Sequence, residues 1–127
     1  MPFYPESYKF GKQQESLILP RLRNYFSRDI QQSEDRYAKH DYFDEEFNYE
    51  LKSRKNKMSA FQDTIVPADK ITGEKPLILL FGFTDKLAFI HFNEEEFKSF
   101  PQKIFGRNGL DQKPYYYIPI DKLKVID

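Results

Sequence analysis

The stretch Asn48-Tyr49-Glu50-Leu51-Lys52-Ser53-Arg54 places an acid and a base two residues apart. In an extended strand successive side chains alternate between faces. Asn48, Glu50, Lys52 and Arg54 therefore share one face, and Tyr49 and Leu51 point to the other. A carboxylate beside an ammonium suits hydrolysis at a phosphate. The carboxylate ligates a hard divalent cation, and the ammonium orients an attacking water or stabilises charge that builds on the phosphate oxygens. The same pattern also describes a solvated strand face, balanced by its own charges.

A second carboxylate comes from the preceding segment. Tyr37 to Phe43 and Phe47 to Ser53 read as two strands joined by the acidic stretch Asp44-Glu45-Glu46. A loop with an even number of residues sets Phe43 opposite Asn48 and Asp41 opposite Glu50, with Cβ atoms about 5 Å apart on one face. Two opposed carboxylates repel unless a cation lies between them, and Mg²⁺ accepts one or two carboxylates, a backbone carbonyl and waters. A three-residue loop would shift the register by one and remove the opposition. Lys39 and Lys52 would then neutralise the two acids on a plain surface. Asp44 is a rival for the role of Asp41, since it also precedes Glu50; the register favours Asp41.

These residues need a scaffold. Residues 1–10, with two prolines, read as an irregular lead. Gly11 to Phe26 reads as a helix, with Leu17, Leu19, Leu22 and Phe26 near one face, Ile18 and Tyr25 at its flank, and Pro20 expected to kink or restart it. After the hairpin come a basic, then polar loop over 54–63, a short strand at Thr64–Val66 and a turn or short helix at Pro67–Lys70. Thr72 to Lys75 is a turn by composition. Leu77 to Thr84 is a continuous apolar run suited to a central strand, and Lys86 to Phe92 completes a hairpin with it. Glu94 to Phe100 reads as a short helix, with Asn93 as N-cap and acids in its first turn. A glycine-containing loop over 106–113, a strand at Tyr115–Ile120 and an extended piece at Leu123–Ile126 close the chain. The outline is α+β or mixed α/β, a mostly antiparallel sheet with the long helix on one face.

A length of 127 residues sets one domain, 1–127, as the expectation. Aromatic residues make up 17%, which supplies large core side chains. The 20 basic and 20 acidic residues cancel, so any nucleic-acid contact must come from local patches rather than a global field. The absence of cysteine excludes disulfides and thiolate chemistry and fits a reducing compartment. The opening MPFYPESYKF has no basic start followed by an apolar run, so no signal peptide is expected. Pro76 to Phe83 is too short to span a bilayer. A soluble, cytoplasmic protein without membrane contact is the expectation. No phosphate-binding glycine loop is present, and His40 and His91, without cysteine, suggest no zinc site. By strand alternation His40 points away from Asp41, as a structural or exposed residue.

The order of Glu15 on an early helix, Asp41 on one strand and Glu50-Leu51-Lys52 on the next resembles the PD-(D/E)xK nuclease superfamily, which includes type II restriction enzymes and archaeal Holliday-junction resolvases. GKQQESLILPRL looks like the first helix of the resolvases. FNYELKSRKNKMSAFQDTIVPADKI is similar to small viral and phage nucleases of the superfamily. The resemblance spans roughly residues 11–92. It implies a restriction-endonuclease-like core and a Mg²⁺-dependent DNA endonuclease, with Mn²⁺ able to substitute. Asp41, Glu50 and the Leu51 carbonyl would ligate the metal, Glu15 would complete the acidic cluster, and Lys52 would be the catalytic lysine. The chain departs from the family pattern in having His40, not proline, before Asp41. The resemblance also implies a homodimer or a partner protein for targeting, and a virus- or phage-encoded protein acting inside the host cell.

Arg54, Lys55 and Lys57 form a basic cluster beside the motif that suits DNA phosphates, or an ordinary charged loop. Gln62 and Lys70 fall where the superfamily often places a further polar or basic residue, and complete the expected DNA-binding set. Tyr115, Tyr116 and Tyr117 suit base stacking or, more commonly, a core. The alternative function is a non-catalytic module on the same scaffold, binding nucleic acid or another protein.

Overall fold

The computed structural model describes residues 6–34, 40–71, 75–105 and 113–126, without the side chains of residues 6–10, 70 and 105. The elements are α1 (Glu6–Phe26), β1 (Gln31–Gln32), β2 (Tyr42–Phe43), β3 (Asn48–Ser53), β4 (Asp63–Pro67), β5 (Leu77–Gly82), β6 (Leu87–His91), α2 (Glu94–Lys98), β7 (Gln102–Phe105), β8 (Lys113–Pro119) and β9 (Lys124–Ile126). Expectations for residues 1–5, for the strand over 37–39, for the turn at 72–74 and for the loop at 106–112 lie outside the described residues.

Leu77-Ile78-Leu79-Leu80-Phe81 has no polar side chain to turn outward, so β5 must be covered on both faces. It sits inside a six-stranded sheet of order β1-β2-β3-β5-β6-β9, in which only the β3–β5 pair is parallel. On one face Ile78 and Leu80 pack with Tyr42, Tyr49, Leu87 and Phe89 beneath Ile18, Leu19, Leu22 and Phe26 of α1. On the other, Leu77, Leu79 and Phe81 pack with Val66, Ile118, Phe97 and Phe100. That second cover is a three-stranded antiparallel sheet, β4-β8-β7, together with α2. Each Leu, Ile or Phe buried this way contributes about 1.5–3 kcal/mol. The molecule is thus mixed α+β, with one long and one short helix on mostly antiparallel strands.

Several elements differ from the sequence reading. The helix begins at Glu6 rather than Gly11 and runs through Pro20 without interruption. Pro20 has no N–H to donate to the Ser16 carbonyl, and both residues lie on the exposed side of the helix. Leu17 is 66% exposed, because the inward face follows Ile18, Leu19, Leu22 and Phe26. β1 and β7 were not expected; β1 is two glutamines, and in β7 Ile104 is 70% exposed, so neither carries an apolar period. The second sheet follows from β7 and was unforeseen with it. Asn93 caps α2 as expected, its Oδ1 accepting the Glu96 N–H at 3.0 Å. Among the described residues no helix is long and apolar enough to cross a membrane.

α1 ends at Phe26 and is followed by Ser27, whose φ of 53° lies in the left-handed region that glycine occupies without a Cβ penalty. Ser27→Gly is expected to stabilise the fold by about 0.5–1 kcal/mol, the steric relief exceeding the added chain entropy. A higher midpoint in urea unfolding would show it; an unchanged or lower midpoint would contradict it.

Candidate active site

The hairpin that carries the motif is set by Asp44. Its Oδ1 accepts the N–H groups of Glu46 at 2.8 Å and Phe47 at 2.7 Å, closing the loop. Its Oδ2 accepts Arg28 Nε at 2.7 Å and the Tyr49 hydroxyl at 2.5 Å. Burial alone would raise this carboxyl, but the Arg28, Tyr49 and backbone donors outweigh it and hold Asp44 well below the usual carboxylate range. Asp44, the rival for the metal, is consumed in holding the turn. The resulting register pairs Phe43 with Asn48 and Tyr42 with Tyr49, as the even loop requires.

β2 stops at Tyr42 while β3 continues to Ser53, and among the described residues no strand pairs with the edge of β3 beyond Tyr49. Asp41 lies at this parting. Its N–H donates to the Tyr49 carbonyl at 3.0 Å, and its Oδ2 accepts the Leu51 N–H at 2.7 Å. The N–H and C=O of one strand residue point to the same side, so the Leu51 carbonyl faces the same edge. The carboxyl that neighbours Asp41 is that of Glu15, on α1. Glu15 reaches it because it lies two helical turns before Leu22, on the buried stripe. The fully buried Tyr42 pins that turn by donating its hydroxyl to the Glu15 carbonyl at 2.7 Å. Burial first, then the hydrogen bond and charge of Asp41, push the Glu15 carboxyl up to about 8, against Lys12, whose Nζ is 3.4 Å from Glu15 Oε2.

Glu50 and Lys52 lie across from Leu79 and Phe81, on the sheet face toward β4-β8-β7, opposite α1. Lys52 Nζ is 3.7 Å from Glu50 Oε1. His40 Nδ1 is 3.5 Å from Glu50 Oε2, and both side chains are buried. This corrects the expectation that His40 faces away: β2 begins only at Tyr42, so strand alternation does not extend to position 40. Lys12 and His40 are the neighbours that sequence reasoning missed. Lys12 had a usable signal, its spacing of three residues from Glu15 on a helix.

Glu15 thus approaches the edge of β3 from the helix side, and Glu50 lies on the far face. Asp41 occupies the edge rather than the face opposite Glu50 that the even loop led to expect, because the β2–β3 pairing ends at Tyr42–Tyr49 and the Asp41 carboxylate turns to the Leu51 N–H. Among the described residues no group of three or more Asp, Glu or His side chains is gathered closely enough to hold a metal ion by itself. Mg²⁺ asks for less, one or two carboxylates with waters completing its shell. The neighbouring carboxyls of Glu15 and Asp41, at the edge that the Leu51 carbonyl also faces, are hard oxygen donors of that kind.

Of the expected DNA-binding residues, Lys55, Lys57 and Gln62 are exposed on the loop after β3. Arg54 is instead half-buried, its Nε donating to Thr64 Oγ1 at 3.1 Å and its Nη2 to the Ile65 carbonyl. Lys70 closes a short 3₁₀ turn, Ala68–Lys70, and its side chain lies outside the described residues. Tyr115, Tyr116 and Tyr117 lie in β8, where Tyr116 packs edge-on to Phe97 at 5.3 Å. No protein-family description, curated protein or solved structure matches the chain.

Because the folded Glu15 carboxyl ionises near 8 rather than 4.5, its contribution to stability is full below pH 4.5 and is lost as pH rises through about 8. In EDTA, the urea midpoint of the wild type should fall between pH 5 and pH 8 more steeply than that of Glu15→Gln. Parallel slopes would contradict the pairing of Glu15 with Asp41. Asp44→Ala should lower the melting temperature yet retain any Mn²⁺-induced rise, whereas Asp41→Ala should lose that rise. Loss of the rise in Asp44→Ala alone would exchange their roles.

Proposed function

We propose that this chain is a divalent-metal-dependent nuclease that hydrolyses phosphodiester bonds in DNA, on a restriction-endonuclease-like core of the PD-(D/E)xK type. The observation that carries the reading is the Asp41 carboxylate, which accepts the Leu51 N–H at 2.7 Å at the edge of the strand that presents Glu50 and Lys52, with the Glu15 carboxyl as its neighbour. Mg²⁺, or Mn²⁺ in its place, would be held by Asp41, Glu15 and the Leu51 carbonyl, with Glu50 as the further ligand. When bound, such an ion stabilises charge on the phosphate oxygens and lowers the pKa of a coordinated water. Lys52, held 3.7 Å from Glu50, brings an ammonium to the attacking water and to the charge that grows on the phosphate. Lys55 and Lys57 hold neighbouring phosphates, with Gln62 and Lys70 farther along the strand. A homodimer or a targeting partner protein would supply a second active site or added specificity.

The second reading is a non-catalytic module on the same scaffold, binding nucleic acid or protein. It is favoured by the absence, among the described residues, of a tight three-acid cluster, together with zero formal net charge.

The test is incubation of wild type and Lys52→Ala with supercoiled plasmid and branched DNA in Mg²⁺, Mn²⁺ or EDTA. Cutting should require the metal and fall about a hundredfold or more in Lys52→Ala. No cutting of either DNA, with no Mn²⁺-induced rise in melting temperature, would leave the second reading.

A further inference from the structure

Arg54 follows β3 and extends its parallel ladder, donating its N–H to the Gly82 carbonyl at 2.9 Å. Its side chain is desolvated, and burial lowers its pKa. The acceptors it meets, Thr64 Oγ1 and the Ile65 carbonyl, are both neutral. Among the described residues no carboxylate forms an ion pair with it. A half-buried cation without a counter-charge is costly in an isolated protein and favours an anion from outside. A guanidinium has five N–H donors, of which two make these bonds, and the Phe81 ring lies against its plane with its centroid 5.7 Å from Cζ.

Two clefts meet at Arg54 and Phe83. The first, of about 400 Å³, lies between α1 and the β5–β6 turn, with Ile18, Arg21 and Lys86 in its walls. Of its charged residues Arg21, Arg54 and Lys86 are basic and Asp85 is the acid, and Asp85 Oδ1 already accepts the Met58 N–H at 3.0 Å. The second, of about 290 Å³, includes Asn56, Met58, Phe61 and one exposed acid, Asp63. Phe61 is 64% exposed, a large ring that the core does not use. Each cleft has about the volume of a site for one small ligand, on the scale of a single unpaired nucleotide.

We infer that the rim at Arg54 is a binding track for a single strand of nucleic acid, with backbone phosphate at Arg54, Arg21 and Lys86 and a base stacked on Phe61. The inference rests on the nucleic-acid reading above and narrows it: the strand next to the cut is unpaired. Phosphates meet Arg54 and the cations beside it, and the ring supplies a sequence-tolerant platform. The track starts two residues beyond Lys52, so an unpaired end or flap would lead directly to the proposed site.

The experiment is fluorescence anisotropy in EDTA with labelled oligothymidine and a blunt duplex, on wild type, Lys86→Glu and Phe61→Ala. Both changes are at exposed positions, and melting curves verify folding. The wild type should prefer the single strand. Lys86→Glu should weaken that binding about tenfold with a shallower salt dependence. Phe61→Ala should weaken it by about five- to tenfold at every salt concentration. Equal affinity for the duplex, no binding, or variants that bind like the wild type would each overturn the inference. Cleavage in Mg²⁺ is measured in parallel. Cutting by the wild type with unaltered variant binding ends the single-strand track and keeps the nuclease. Binding that the variants lose, with no cutting, keeps the track and ends the nuclease.

Discussion

Asp44 is the constraint on which the candidate site depends. Its carboxylate closes the β2–β3 loop through the N–H groups of Glu46 and Phe47, and ties that loop to Arg28 and Tyr49. Its carbonyl also accepts Lys75 Nζ at 2.7 Å, drawing in the chain just before β5. A strand has a side-chain period of two, so a slip of one residue would send Glu50 and Lys52 into the apolar layer under α1 and turn Tyr49 and Leu51 out of it. The turn therefore decides which chemistry faces which layer. A charged group at a loop tip governs the hydrophobic packing, because the packing energy is spent only if the register is right.

The edge that Asp41 occupies arises from unequal strand lengths. β2 covers only the first part of β3, and the Asp41 carboxylate takes up the Leu51 N–H that a longer β2 would have paired. An unpaired backbone donor is costly when buried, so the acid serves as a backbone partner and as a candidate ligand at once. Glu15 is brought to the same carboxylate by a helix whose own position is held by Tyr42 and by the layer of Leu22, Phe26 and Phe89. Packing brings the two acids together, and burial beside Asp41 favours the protonated form of Glu15.

Such an arrangement is expensive. Three acids, Glu15, Asp41 and Glu50, lie around one stretch of strand, with Lys12, His40 and Lys52 as the cations or potential cations beside them. Buried or half-buried ion pairs seldom add much stability over apolar residues of similar volume. Local arrangements that cost stability are commonest where a protein binds or reacts. Arg54 follows the same logic with the opposite sign, a desolvated cation satisfied by neutral oxygens at the end of the same strand.

Much was legible in the sequence because it rests on local rules. β5 follows from an apolar run, α2 from its Asn93 cap, and the Glu50–Lys52 face from strand alternation. The Phe43–Asn48 register follows from an even loop. Other features depend on what lies across space. Arg54 reads as a surface cation until β4 supplies its acceptors, and His40 reads as outward until β2 ends before reaching it. The second sheet needs β8 to meet both β4 and β7, which no local period announces. Residue types and spacing determined which groups were available for chemistry. Only the tertiary structure decided that Asp44 holds the turn and Asp41 meets Glu15, because hydrogen-bond partners and burial are set by strand ends and layer contacts that a linear pattern does not contain.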